Sequence, residues 1–301
     1  MATTGVPIIT APGIPADASR PLPSRDPLLA GVANSGVRFL ADLAFPWCYP
    51  GGEPANRPAA GAPGNGAVVR DIAEQANASV AFSGGTIAYA GGGFDLSNAQ
   101  VSSTLQAGIV LPASILADIS TAFGGKAQRF LFAMYLKLPL LADWAAGNLS
   151  IAGDKIFSSA PSLIAVNEAG GGTLNLRRQS GAGTADSLTL TPNVGDYGTV
   201  VQLAVWRSDT GIGLRLRSPN GTLLQAAAVG ADNNQAFGTN TMTLGYCTAF
   251  TGGLGGAVTT LPALRLRIYR AFMENLARSG RDPVAVLDAD YTRQQARALF
   301  S

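Results

Sequence analysis

Two short stretches near the C-terminal end constrain this chain most. Leu264-Arg265-Leu266-Arg267-Ile268-Tyr269-Arg270 and Leu214-Arg215-Leu216-Arg217 alternate apolar and cationic residues. Successive side chains of a β-strand point to opposite faces, so each stretch has an apolar side and a guanidinium side. Such strands suit a sheet with one face on a core and one wet face carrying fixed positive charge. Arginine dominates that charge, because only Lys126, Lys137 and Lys155 are lysines. A formal net charge of +2 is too small to mark a nucleic-acid partner.

The rest of the chain agrees with an all-β reading. Charged residues make up only 13 % of the 301 residues, and 37 are glycine, a balance that favours strands and turns over long helices. Strands are expected at Ser79–Phe82, Thr86–Ala90, Phe130–Lys137, Leu149–Ala152, Ser162–Val166 and Thr173–Arg177. More follow at Ser187–Thr191, Val200–Arg207, Ile212–Arg217, Leu223–Ala227, Met242–Tyr246 and Leu264–Arg270. Asp209-Thr210-Gly211 and Asn220-Gly221 read as hairpin turns between the strands they separate. This spacing predicts a sandwich or barrel. Helices are expected at Leu111–Phe123 and, at the end of the chain, Tyr291–Phe300. Residues 28–45 carry only a weak helical pattern, and Phe45-Pro46-Trp47-Cys48-Tyr49-Pro50 reads as a turn or packed corner.

Pro7, Pro12, Pro15, Pro21, Pro23 and Pro27 exclude a regular helix or central strand from the leader. Residues 1–70 are therefore read as an extended attachment arm and linker, and residues 71–301 as the sandwich. Val6, Pro7, Ile8, Ile9, Leu28 and Leu29 give the arm apolar anchors for a neighbouring subunit, which a purely solvated tail would not need. No basic and apolar secretory signal opens the chain, and no stretch reaches about 18 uninterrupted apolar residues, so no membrane span is expected.

The chemistry is marked by what is missing. The chain has no histidine, which removes Ser–His–Asp and Cys–His mechanisms and His-ligated zinc. It has no phosphate loop and no nucleophile elbow. Its four glutamates, Glu53, Glu74, Glu168 and Glu274, are not closely paired with other acids as a glycosidase requires. No catalytic residue, metal ligand or cofactor is assigned. Cys48 and Cys247 form no metal or redox spacing and read as buried thiols, with a disulfide between them left open. The remaining candidate surface is the arginine face: Arg215, Arg217, Arg265 and Arg267, with Trp206 beside them, as a site for acidic polysaccharide or an acidic partner.

The segments Arg267-Ile268-Tyr269-Arg270, Glu274-Asn275-Leu276-Ala277-Arg278-Ser279-Gly280-Arg281 and Asp288-Ala289-Asp290-Tyr291 resemble the closing segment of concanavalin A-like or laminin G-like jelly-roll domains in tailed-phage virion proteins. Trp206-Arg207-Ser208-Asp209-Thr210-Gly211 with Leu214-Arg215-Leu216 is similar to the paired central strands of such domains. The resemblance implies a two-sheet antiparallel jelly roll with a short C-terminal helix. It implies a virion structural protein on the particle exterior: a tail or baseplate component, head spike or capsid decoration. Its partners would be other virion subunits and copies of itself, a trimer by analogy. The alternative is an adhesin for host surface polysaccharide. Enzymatic relatives carry an acidic E-x-D-x-x-E strand that this chain lacks, so hydrolase activity is not carried over.

Overall fold

A computed structural model describes residues 26–29, 36–49, 61–101, 105–144, 150–154, 163–168, 171–181, 184–230, 232, 237, 240–246 and 265–297. They form a two-sheet antiparallel jelly-roll sandwich with a C-terminal helix. The strands are β1 (Val37–Asp42), β2 (Val68–Val69), β3 (Ala78–Phe82), β4 (Ala88–Ala90), β5 (Gly93–Asp95), β6 (Ala107–Val110), β7 (Phe130–Lys137) and β8 (Ser150–Gly153). They continue as β9 (Ala165–Glu168), β10 (Leu174–Gly181), β11 (Thr184–Leu190), β12 (Val200–Ser208), β13 (Gly211–Arg217), β14 (Leu223–Ala228), β15 (Thr243–Tyr246) and β16 (Arg267–Asn275). The helices are α1 (Ala113–Ser120), α2 (Leu276–Ser279) and α3 (Pro283–Arg297). The front sheet runs β14-β13-β12-β7-β16-β5-β4, with β1 also pairing β16; the back sheet runs β11-β10-β9-β8-β15-β6-β3-β2.

The period-two pattern sorts side chains as the sequence requires. Val201, Leu203 and Val205 of β12 and Ile212, Leu214 and Leu216 of β13 enter the core between the sheets. Leu266, Ile268, Ala271 and Met273 join them from the last strand. Leu264 lies outside the described residues. The register of β16 against β7 shifts between Ile268 and Arg270, so one extra residue is accommodated and Arg270 turns to the outer face.

That outer face is not wet, which corrects the expectation of a solvated guanidinium skin. A second apolar cluster covers it: Leu131, Ala133, Ala204, Trp206 and Phe272 from the sheet meet Leu276, Val286 and Leu287 from α2 and α3. Leu28 and Leu29 pack into the same cluster, so these two anchors are buried against this chain's own fold. Gly213 faces Trp206 across the β12–β13 pair; a Cβ there would lie 2.0 Å from the indole Cζ2, so only glycine lets the ring lie flat on the sheet.

Two boundaries move. Residues 37–42, expected in the arm, form β1 and pair with Ala271, Phe272 and Met273 of β16. Phe39 and Ala41 face the inner core while Val37 and Leu40 face the outer cluster, so both sides are apolar and the alternation vanishes from the sequence. Helix α3 starts at Pro283 rather than near Tyr291, with Asp282 accepting the Ala285 amide at 2.8 Å. Its buried stripe includes Asp290 and Gln294, and those polar positions hide the helical period. The expected arm residues Val6, Pro7, Ile8 and Ile9 lie outside the described residues, as does Cys247. Cys48 is a free, fully buried thiol, and burial pushes its pKa up to about 12.

Candidate functional site

The arginines of the alternating strands divide into two groups. Arg215 and Arg217 of β13 both grip Asp288 on α3, the latter at 2.6 Å, and the Arg217 guanidinium lies 4.2 Å from the centroid of the Tyr291 ring. Arg270 is wholly buried and is held by Asp26 at 3.0 Å and by Asp42 and Asp290 at 3.2 Å each. Burial opposes its charge, but Asp290, Asp26 and Asp42 outweigh that cost and hold its pKa above the usual arginine value. These guanidiniums dock α3 and the segment Asp26–Leu29. Arg215 and Trp206 are 1 % and 5 % exposed, so they offer no surface to a ligand, contrary to the sequence reading.

Arg265 and Arg267 do meet at an open cleft of about 660 Å³, together with Lys137. Arg267 clasps Asp95 Oδ2 through Nε at 3.1 Å and Nη2 at 2.6 Å, and Arg265 pairs with Asp143. Burial works against ionisation of Asp95, but hydrogen bonds from Ser97 and Arg267 outweigh it and hold this carboxyl below the usual range.

A second cleft, of about 670 Å³, opens where β1 ends, beside α3. Sequence reasoning missed it because its walls come from four separate parts of the chain, the Asp26–Leu29 segment among them. The corner after β1 contributes Phe45 and Trp47, each 40 % exposed, while the adjoining Cys48 and Tyr49 turn inward. Tyr49 is fixed against Tyr89 and Phe94 with ring centroids 5.3 and 4.7 Å away. That packing anchors the corner that carries the two outer rings. Arg70 steadies the corner by donating to the Trp47 carbonyl at 3.4 Å. The alternation of outward and inward aromatics in Phe45-Pro46-Trp47-Cys48-Tyr49 was the available sequence signal.

A carboxylate-centred turn contributes the opposite wall. Asp71 accepts the amides of Leu40 at 2.8 Å, Ala73 and Gln75 at 2.9 Å each, and Ala76 at 3.2 Å. At the tip sits Glu74, exposed, with φ +58, a left-handed conformation that a non-glycine residue adopts at a local energetic cost. Its carboxylate has no partner among the described residues. Helix α3 contributes Arg293, Gln294 and Arg297.

Two buried polar atoms at this cleft lack hydrogen bonds: Asp42 Oδ1, an acceptor, and Arg293 Nε, a donor. Asp42 Oδ2 is engaged by Arg297 at 2.6 Å and Arg270 at 3.2 Å, which fixes the carboxylate at the floor of the cleft. Asp42 Oδ1 and Arg293 Nε are both out of reach of solvent, and the Nε atoms of Arg207, Arg215, Arg270 and Arg278 are in the same state, so they do not by themselves mark a ligand. The cleft therefore offers two apolar ring surfaces, the exposed Glu74 carboxylate as acceptor and the partly exposed Arg293 and Arg297 guanidiniums as donors within a single concavity.

No protein-family model matches this chain, and no curated protein matches it. Among solved structures it is similar to the binding domain of botulinum neurotoxin serotype D/C VPI 5993, with 8 % identity, a TM-score of 0.47, and coverage of 80 % of this chain and 49 % of that one. A botulinum neurotoxin type C structure shares 11 % identity with a TM-score of 0.45, covering 71 % of this chain and 47 % of that one. The binding domain of Paraclostridial Mosquitocidal Protein 1 shares 9 % identity with a TM-score of 0.40, covering 71 % and 48 %. The chain thus spans about half the length of these structures. The sandwich assignment stands on the chain's own strand pairing.

Proposed function

We propose that this protein is a non-enzymatic saccharide-binding module, an adhesin for host surface polysaccharide, with the Phe45–Trp47 cleft as its binding site. One observation carries the reading: the exposed Phe45 and Trp47 rings share a concavity with the exposed Glu74 carboxylate and the partly exposed guanidiniums of Arg293 and Arg297. A pyranose presents an apolar C–H face for rings and a rim of hydroxyls that both donate and accept, matching this set. A glycan array probed with the full chain tests the proposal. Retention of polysaccharide by the wild type, lost on Trp47→Ala, is the expected result; no retention of any saccharide contradicts it.

In this proposal the module sits on the exterior of a tailed-phage or gene-transfer particle as one copy of a homo-oligomer, a trimer in the simplest arrangement. The resemblance of residues 264–301 and the proline-rich leader support that setting. Repeated copies would turn weak individual contacts into avidity. The chain leading from residue 25 meets the fold at Asp26, tied to Arg270, and at buried Leu28 and Leu29. A truncation that tests the leader must therefore stop before Asp26 and spare β1. Removing residues 1–25 is expected to abolish incorporation into particles while the sandwich keeps its melting temperature. Full incorporation of the truncated chain would remove the virion setting and leave the saccharide reading in place.

A further inference from the structure

The sandwich end that carries the cationic cleft also bears four of the exposed aliphatic side chains among the described residues. Leu140 and Leu141, 58 % and 41 % exposed, follow β7 directly after that cleft. Val194, 79 % exposed, stands in the turn that leads into β12, and the first residue of β12, Val200, pairs with Lys137. Leu223, 56 % exposed, opens β14. Asn220 Nδ2 donates to the Gly195 carbonyl at 2.7 Å and Asn193 Nδ2 to Thr222 Oγ1 at 3.0 Å, which ties the Val194 and Leu223 turns together. Lys137 pairs across the sheet with Arg267, so the cations and the aliphatic tips belong to one end of the molecule.

We infer that this end docks on an anionic lipid surface, with Leu140, Val194 and Leu223 entering the headgroup boundary and Lys137 and Arg265 meeting lipid phosphates. Leu140 lines the cleft, while Val194 stands in a turn and Leu223 at the start of β14 on the same end of the front sheet, so the tips do not form one flat patch. Lys137 is exposed and unpaired among the described residues, and the Arg265 side chain is 51 % exposed beside it. A bilayer surface offers apolar depth and a dense array of negative charge together. A second copy seated symmetrically here would bring Lys137 and Arg265 against the same cations near the two-fold axis. No helix among the described residues is long and apolar enough to cross a membrane, so the contact is one of surface docking. This inference does not rest on the saccharide cleft, which shares no lining residue with the cationic one.

Vesicle flotation of the full chain tests it. Binding is expected to vesicles of phosphatidylglycerol with phosphatidylcholine, and not to phosphatidylcholine alone, and it should collapse in high salt. Leu140→Ser combined with Val194→Ser, and separately Lys137→Glu, should each weaken binding about tenfold. These positions are exposed, so the variants should keep the wild-type circular dichroism and melting temperature. Trp47→Ala should leave vesicle binding unchanged. Four results would overturn the inference: no binding to anionic vesicles, equal binding to neutral ones, full binding by the variants, or a dimer in sedimentation that Leu140→Ser dissolves. Complete displacement from vesicles by inorganic phosphate would reassign the cleft to a free anion.

Discussion

Replacing Arg270 by leucine is expected to cost about 3–5 kcal/mol of folding stability, the range for stranding buried charge without its partner. The guanidinium is fully buried and joins three parts of the chain: Asp26 before the first strand, Asp42 at the end of β1 and Asp290 on α3. Leucine leaves three carboxylates facing one another. Arg297 on Asp42 and Arg293 on Asp290 offset only part of that repulsion. Whole domains hold only about 5–15 kcal/mol, so the variant should fall near the limit of folding. Urea denaturation measures the loss. Arg267→Leu is the control: that arginine is partly exposed, with a single carboxylate partner, Asp95, and a bond to the Tyr269 hydroxyl, and its removal should cost no more than about 1 kcal/mol. Changing Arg270, Asp42 and Asp290 together to leucine should recover much of the stability, because the penalty comes from unpaired charge and not from lost packing. A loss at Arg270 no larger than that at Arg267 would show that the network does not hold the outer layer down.

Trp47→Ala is expected to lower affinity for the cognate polysaccharide about thirtyfold, the roughly 2 kcal/mol typical of a central aromatic anchor. The indole is 40 % exposed and outside both apolar clusters, so its removal should leave the melting temperature within a degree or two of wild type. Phe45→Ala should weaken binding by a smaller factor through loss of the second ring. Glu74→Gln keeps the turn, which is built by the Asp71 carboxylate, and removes only the anionic acceptor. Titration calorimetry separates these effects, and unchanged affinity in Trp47→Ala would move the binding site elsewhere.

The hairpin of β12 and β13 was readable because period two fixes which residues face which side. Strand β7 was readable to its ends, Phe130 and Lys137, because turn-forming residues bound a continuous apolar run. Alternation does not say what covers the second face, and there the reading failed. A guanidinium bonded to Asp288 beneath a helix and one left in water look the same along a single strand. The covering helix was itself obscured, because two of its inward positions are Asp290 and Gln294, which make sense as buried groups only once Arg270 is placed beneath them. Strand β1 was lost because both of its faces are buried. The cleft was lost because Phe45, Glu74 and Arg293 become neighbours only through tertiary structure.

A crystal of the full chain soaked with the oligosaccharide retained on the glycan array tests the central claim most directly. The account predicts a sugar ring against the Trp47 indole, with one hydroxyl donating to the Glu74 carboxylate and another oxygen accepting from the Arg293 guanidinium. Sugar density at any other surface, or the chain's own leader filling this cleft with its side chains on Glu74 and Arg293, would contradict it.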